Sequence, residues 1–226
     1  MKTFDLKKST VRDLNQFLHQ TSCENDDIQV TNPNGKHSVA VGAMYASRVN
    51  ISGHVGYYCA GMNQNATVVV DGNAGSGLAE NMMSGSVHVN GNASQYCAAT
   101  AHGGMVVVEG DTAARCGISM KGVDIVVGGS VGHMSAFMAQ SGRLVVCGDA
   151  GDALGDSLYE ARLYVGGNVK SLGADCIEKP MLAEHEAELK QLLELAGMSN
   201  VDTAKFKRYG SARKLYNFNI DHAGEY

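Results

Sequence analysis

Residues 49–72 read VNISGHVGYYCAGMNQNATVVVDG, and residues 106–129 read VVVEGDTAARCGISMKGVDIVVGG. Each stretch opens on an apolar run closed by a glycine and ends on the next such run, 19 residues later. The spacing holds without slip at Gly53, Gly72, Gly91, Gly110, Gly129, Gly148 and Gly167. Self-similarity at a fixed short period means one supersecondary unit stacked on copies of itself. The chain is therefore read first as a scaffold and only then searched for a pocket.

The positions within the unit decide its type. Four residues before each glycine stand Val49, Val68, Val87, Val106, Ile125, Leu144 and Leu163. Two before it stand Ile51, Val70, Val89, Val108, Val127, Val146 and Val165. All are aliphatic, and all but Leu144 and Leu163 are β-branched. Side chains two apart in a strand share a face, so both positions point to one interior. A helix between strands needs about thirty residues per unit, which this period excludes. After each glycine comes His54, Asn73, Asn92, Asp111, Ser130, Asp149 or Asn168. Most of these are side chains that bond local backbone and tolerate turns. The expectation is an all-β, right-handed parallel β-helix of at least seven coils. At ~4.8 Å per coil, the first to the seventh glycine span roughly 29 Å.

A stack has open ends, which need caps. Residues 1–21 are read as an N-terminal capping helix, with Thr10 and Asp13 at capping-box spacing before an apolar helix face. Residues 22–179 form the glycine-rich solenoid, beginning with an irregular coil that contains NPNGKHSVAVG. A helix is expected over 180–198, opened by Pro180 and stopped by Gly197. The tail, 199–226, interleaves Phe206, Tyr209, Tyr216 and Phe218 with Arg208, Arg213 and lysines. Such a tail either docks on a partner or folds back on its own cap.

Composition bounds the rest. The chain has 226 residues, 44% of them hydrophobic, a net charge of −5, and no signal-like or membrane-length apolar run. Nucleic acid and membrane are not expected partners, and the cytoplasm is the expected compartment. The six cysteines lack metal-ligand spacing. Cys59, Cys97 and Cys116 share one phase and read as a buried ladder of thiols. Asp149, Asp152 and Asp156 lie in GDAGDALGD. They read as turn residues, with a sugar-cleaving or calcium site as the alternative. His54, His102 and His133 have no partner at fixed spacing. Arg115 and Lys121 are read as docking candidates in the later coils. No catalytic, cofactor-binding or metal residue is assigned.

The glycine ladder, the NPNGKHSVAVG segment at 32–42 and ARCGISMKGVDIVVGGSVGHMSAFMAQSGRLVVCGDAG at 114–151 resemble one known family. It is the glycine-rich β-helix domain at the C-terminus of the glutamate synthase large subunit. A similar domain occurs in formylmethanofuran dehydrogenase. The opening MKTFDLKKSTVRDLN and the tail FKRYGSARKLYNF look most like the stand-alone small subunit of N-methylglutamate synthase. The resemblance implies a non-catalytic structural subunit of a hetero-oligomeric enzyme. That enzyme converts methylamine and glutamate into N-methylglutamate and ammonia. Its implied partners are a class II glutamine amidotransferase-like subunit and a glutamate synthase-like subunit carrying FMN and an iron–sulfur cluster. The alternatives are a structural subunit of a glutamate synthase or formylmethanofuran dehydrogenase-like complex, and an independent polysaccharide-active β-helix.

Overall fold

The computed structural model describes residues 2–214. One eleven-stranded sheet runs the length of the molecule in the order β1-β2-β3-β4-β5-β6-β7-β8-β9-β11-β10. The strands are β1 (Lys2–Asp5), β2 (Asp27–Thr31), β3 (Arg48–Ser52), β4 (Thr67–Asp71), β5 (Ser86–Val89), β6 (Met105–Val108), β7 (Lys121–Val127), β8 (Ser141–Val146), β9 (Arg162–Val165), β10 (Cys176–Lys179) and β11 (Lys207–Ser211). Strands β1 to β9 pair in parallel, each with the next. From β3 onward the register places repeat on repeat: Val49 opposite Val68, Val87 opposite Val106, Ile125 opposite Leu144. A second line of bridges joins Val55, Ala74, Ala93, Thr112, Val131, Ala150 and Val169. Both inward positions are buried in every repeat and form the main core. The chain is a parallel β-solenoid with the expected period.

The residue after each glycine builds a ladder. His54 Nδ1 accepts from the Asn73 amide at 2.9 Å, and Asn73 Oδ1 accepts from the Asn92 amide at 2.8 Å. Asn92, Asp111, Ser130 and Asp149 continue it, each accepting from the corresponding amide of the next coil. This ladder explains the glycines. Of the seven, only Gly53 has positive φ. The others are needed for space: a Cβ on Gly110 would lie 2.2 Å from Asn92 Oδ1, and one on Gly91 2.3 Å from Asn73 Oδ1.

The N-terminal cap is shorter than expected, because Lys2–Asp5 pairs with β2 as a strand; helix α1 is confined to Val11–Leu18, and its Leu14 and Leu18 are buried in the main core. Thr10 and Asp13 form the anticipated capping box. The first coil is more regular than expected, because β2 already pairs with β3. Helix α2 (Ala183–Leu195) starts three residues after Pro180, since Cys176–Lys179 is committed to β10. It packs against the outer face of the sheet. There Val107, Val126, Val145 and Tyr164 meet Leu189, Leu192, Leu193 and Ala196 in a second core. The tail folds back: β11 enters the sheet antiparallel between β9 and β10.

Candidate functional site

Alternation along a strand sends every second side chain out of the solenoid. The outward positions three before each glycine begin polar or part-exposed, at Asn50, Val69 and His88. They become apolar and buried at Val107, Val126, Val145 and Tyr164, where α2 covers them. Glu188 fixes α2 there. Its carboxylate accepts from Tyr164 Oη at 2.5 Å and pairs with Arg162 at 2.8 Å and Arg143 at 3.2 Å. Arg143 also chelates Asp124 on the neighbouring coil. Burial, with the Glu188 carboxylate, pushes the Tyr164 hydroxyl well above its ordinary range.

The return arc, between the glycine turn and the next strand, has an unusual backbone. Tyr58, Ala60 and Met62 all have positive φ, as do Tyr96, Ala98 and Thr100, and Met134, Ala136 and Met138. Such conformations cost about 1–3 kcal/mol each outside glycine and persist only where surroundings over-determine them. Here the amides alternate in direction. Tyr58 N–H bonds Ser76 O on the following coil, Ala60 N–H bonds Val39 O on the preceding one, and Met62 N–H bonds Glu80 O on the following one. The middle residue of each trio is buried and small: Ala60, Ala79, Ala98, Gly117, Ala136 and Gly155. The flanking residues face outward to varying degrees.

That arc carries the exposed apolar side chains of the coils. Tyr57, Met62, Met83, Tyr96 and Met138 project from it, from 37% exposed at Tyr96 to 54% at Tyr57. Arg115 lies on the same arc with its guanidinium 5.8 Å from the Tyr96 ring centroid. Lys121 stands exposed where β7 begins. The two coil candidates therefore belong to this apolar, basic-edged surface. The tail candidates divide. Phe206 is buried in the second core and Tyr209 in the main core. Arg208 Nε donates to Pro180 O, and Arg213 pairs with Glu160 at 2.8 Å. This part of the tail packs on its own molecule. Tyr216 and Phe218 lie outside the described residues.

The other candidates serve the stack. Cys59, Cys97 and Cys116 are buried free thiols inside the solenoid. Burial pushes Cys59 up to about 12, and a hydrogen bond with Cys116 together with burial holds Cys97 well above its ordinary value. Asp149 takes its place in the turn ladder. Asp152 binds Lys170 at 2.7 Å, which lowers its pKa, and Asp156 accepts from Ser157 and the Ala174 amide. His54 is a ladder acceptor, while His102 and His133 are exposed. Among the described residues, no group of three His, Cys, Asp or Glu side chains is arranged to hold a metal. No helix among them is long and apolar enough to cross a membrane.

No protein-family model matches the chain. Protein GlxC of Rhizobium meliloti (strain 1021) is 60% identical over 228 residues, covering 100% of this chain and 100% of that protein. The match runs the whole length of both chains, from the capping segment through the solenoid to the tail. The chain belongs to the family of Protein GlxC, and its glycine ladder carries the glutamate synthase-like resemblance throughout.

Proposed function

We propose that this chain is a non-catalytic structural subunit of a glutamate synthase-like enzyme complex, of the N-methylglutamate synthase type. In this reading it braces an amidotransferase-like subunit against an FMN and iron–sulfur synthase-like subunit in the cytoplasm. The observation that carries the reading is the return arc. A hydrogen-bonded stack presents Tyr57, Met62, Met83, Tyr96 and Met138 outward from four of its coils, with Arg115 on the coil between Tyr96 and Met138. Exposed apolar side chains gathered on one arc suit an interaction surface, and Met, Tyr and Arg are among the residues enriched in interfaces. A rigid backbone lowers the ordering cost of association. Methylamine chemistry, cofactors and glutaminase activity all belong, in this proposal, to the partners.

The test is a pull-down of the tagged chain from its native host, with mass spectrometry and an absorbance spectrum of the eluate. Co-purification of an amidotransferase-like and a synthase-like protein with a flavin spectrum supports the proposal. A colourless, solitary chain overturns it.

A further inference from the structure

Beside α2, the tail and the last coil enclose a polar cleft of about 420 Å³, within the usual size of small-molecule sites. Four cations line it, Arg162, Lys179, Arg208 and Arg213, against one carboxylate, Glu160. Glu188, behind Arg162, and Glu184, beside His185, reduce the local balance from +3 to +1. Arg213 is engaged by Glu160 and Arg162 by Glu188. Arg208 is held by its Nε bond to Pro180 O, which leaves its two terminal nitrogens without a partner among the described residues. Lys179 Nζ likewise has none among them.

One further donor lines the cleft. His185 lines the cleft and is only 8% exposed. Its Nδ1 accepts from the Leu182 amide at 3.3 Å, so the proton of the neutral ring sits on Nε2. The nearest carboxylate oxygen to that nitrogen, Glu184 Oε1, is 3.8 Å away, beyond hydrogen-bond distance. His185 also sits in the first turn of α2, whose N-cap is Leu182, a residue with no side-chain acceptor. His185 thus caps the Leu182 amide, and Glu184 and Glu186 stand in the same first turn.

We propose that this cleft binds a small oxyanion, a carboxylate or phosphate group of a soluble metabolite. Lys179 and Arg208 supply the charge, and His185 Nε2–H supplies a further donor on the cleft wall. A planar guanidinium and a point-charge ammonium together suit either oxyanion. The structural subunit would then carry a ligand site of its own, separate from the return arc and independent of which partners dock there.

The experiment is calorimetric titration of the full chain with inorganic phosphate and, separately, succinate, at constant ionic strength. Saturable binding of at least one is expected, weakened about tenfold or more by Lys179→Gln and by Arg208→Gln. Arg48→Gln, at the other end of the solenoid, should leave it unchanged. Lys179→Gln breaks no side-chain hydrogen bond or ion pair among the described residues, so its result stands even if Arg208→Gln misfolds. The difference between the two probes tells phosphate from carboxylate recognition. Absence of saturable heat for both up to about 10 mM, or binding that Lys179→Gln and Arg48→Gln weaken equally, overturns the proposal.

Discussion

Gly110→Ala tests why the repeat exists. The backbone there does not have positive φ, so an argument from backbone conformation alone makes the change stabilising by about 0.4–1 kcal/mol, through the unfolded chain. The structure argues the reverse. The new Cβ would lie 2.2 Å from Asn92 Oδ1 and 3.0 Å from Gly91 O. Asn92 Oδ1 cannot swing away freely, because it accepts from the Asp111 amide at 2.8 Å. Crowding in a packed stack costs about 1–3 kcal/mol, and losing the ladder bond a further ~0.5–1.5 kcal/mol. Set against the unfolded-state gain, the net destabilisation is about 2 kcal/mol, with a span of ~0.5–4 kcal/mol. For a chain of this size that lowers Tm by roughly 4–8 °C. The assay is denaturant unfolding of the variant with its slope checked against the wild type, beside amide exchange at Asp111. Asn92→Ala removes the obstructing oxygen. In that background the cost of Gly110→Ala should fall by about 1 kcal/mol or more, as coupling between contacting residues requires. A neutral or stabilising Gly110→Ala, or an undiminished cost in the Asn92→Ala background, refutes the close-approach account.

Other outcomes follow from the same contacts. Glu188→Ala leaves Arg143, Arg162 and the Tyr164 hydroxyl without their shared carboxylate. It should cost about 1–3 kcal/mol, seen first as faster amide exchange in α2; unchanged protection there would refute the anchoring role. Asp13 is held below its ordinary 3.8 by the Thr10 amide, then by the Thr10 hydroxyl. A lowered folded-state pKa means that the capping contribution is complete above 3.8 and lost as pH falls through the depressed value. Acid titration of α1 order should therefore show a transition that Asp13→Asn lacks. Of the six cysteines, five are buried and Cys147 is partly exposed. Brief alkylation near neutral pH should modify it before the others, and equal labelling of Cys97 would contradict the buried ladder.

Much of this architecture is written locally. The inward pairs such as Val68 and Val70 recur at a fixed phase because each coil meets only its neighbours, so one repeat specifies the next. Thr10 and Asp13 likewise announce α1 through a contact three residues apart. What stayed hidden depends on long-range partners. The segment KRYGS, Lys207–Ser211, becomes a strand only because β9 and β10 offer it edges. The site of α2 did leave a trace. The position three before the glycine shifts from Asn50 and His88 to Val107, Val126, Val145 and Tyr164, the mark of an outer face that is covered from the fourth repeat on. The small residues from Ala60 to Gly155 seven after the glycine were an unread signal for the positive-φ arc. The cleft beside α2 could not be read at all, since Arg162, Lys179, His185 and Arg208 converge only once the tail folds back.

The bracing role depends on the return arc, and charge placed there tests it most directly. Met62 and Met138 are exposed, so glutamate at both should leave the fold intact. The tagged Met62→Glu, Met138→Glu chain is purified from the native host beside the wild type, with flavin absorbance and co-purifying subunits compared at matched melting temperature. The account predicts that the wild type retains its flavoprotein partner and that the variant loses most of it. Equal retention by both chains would show that the partners dock elsewhere and would contradict the account.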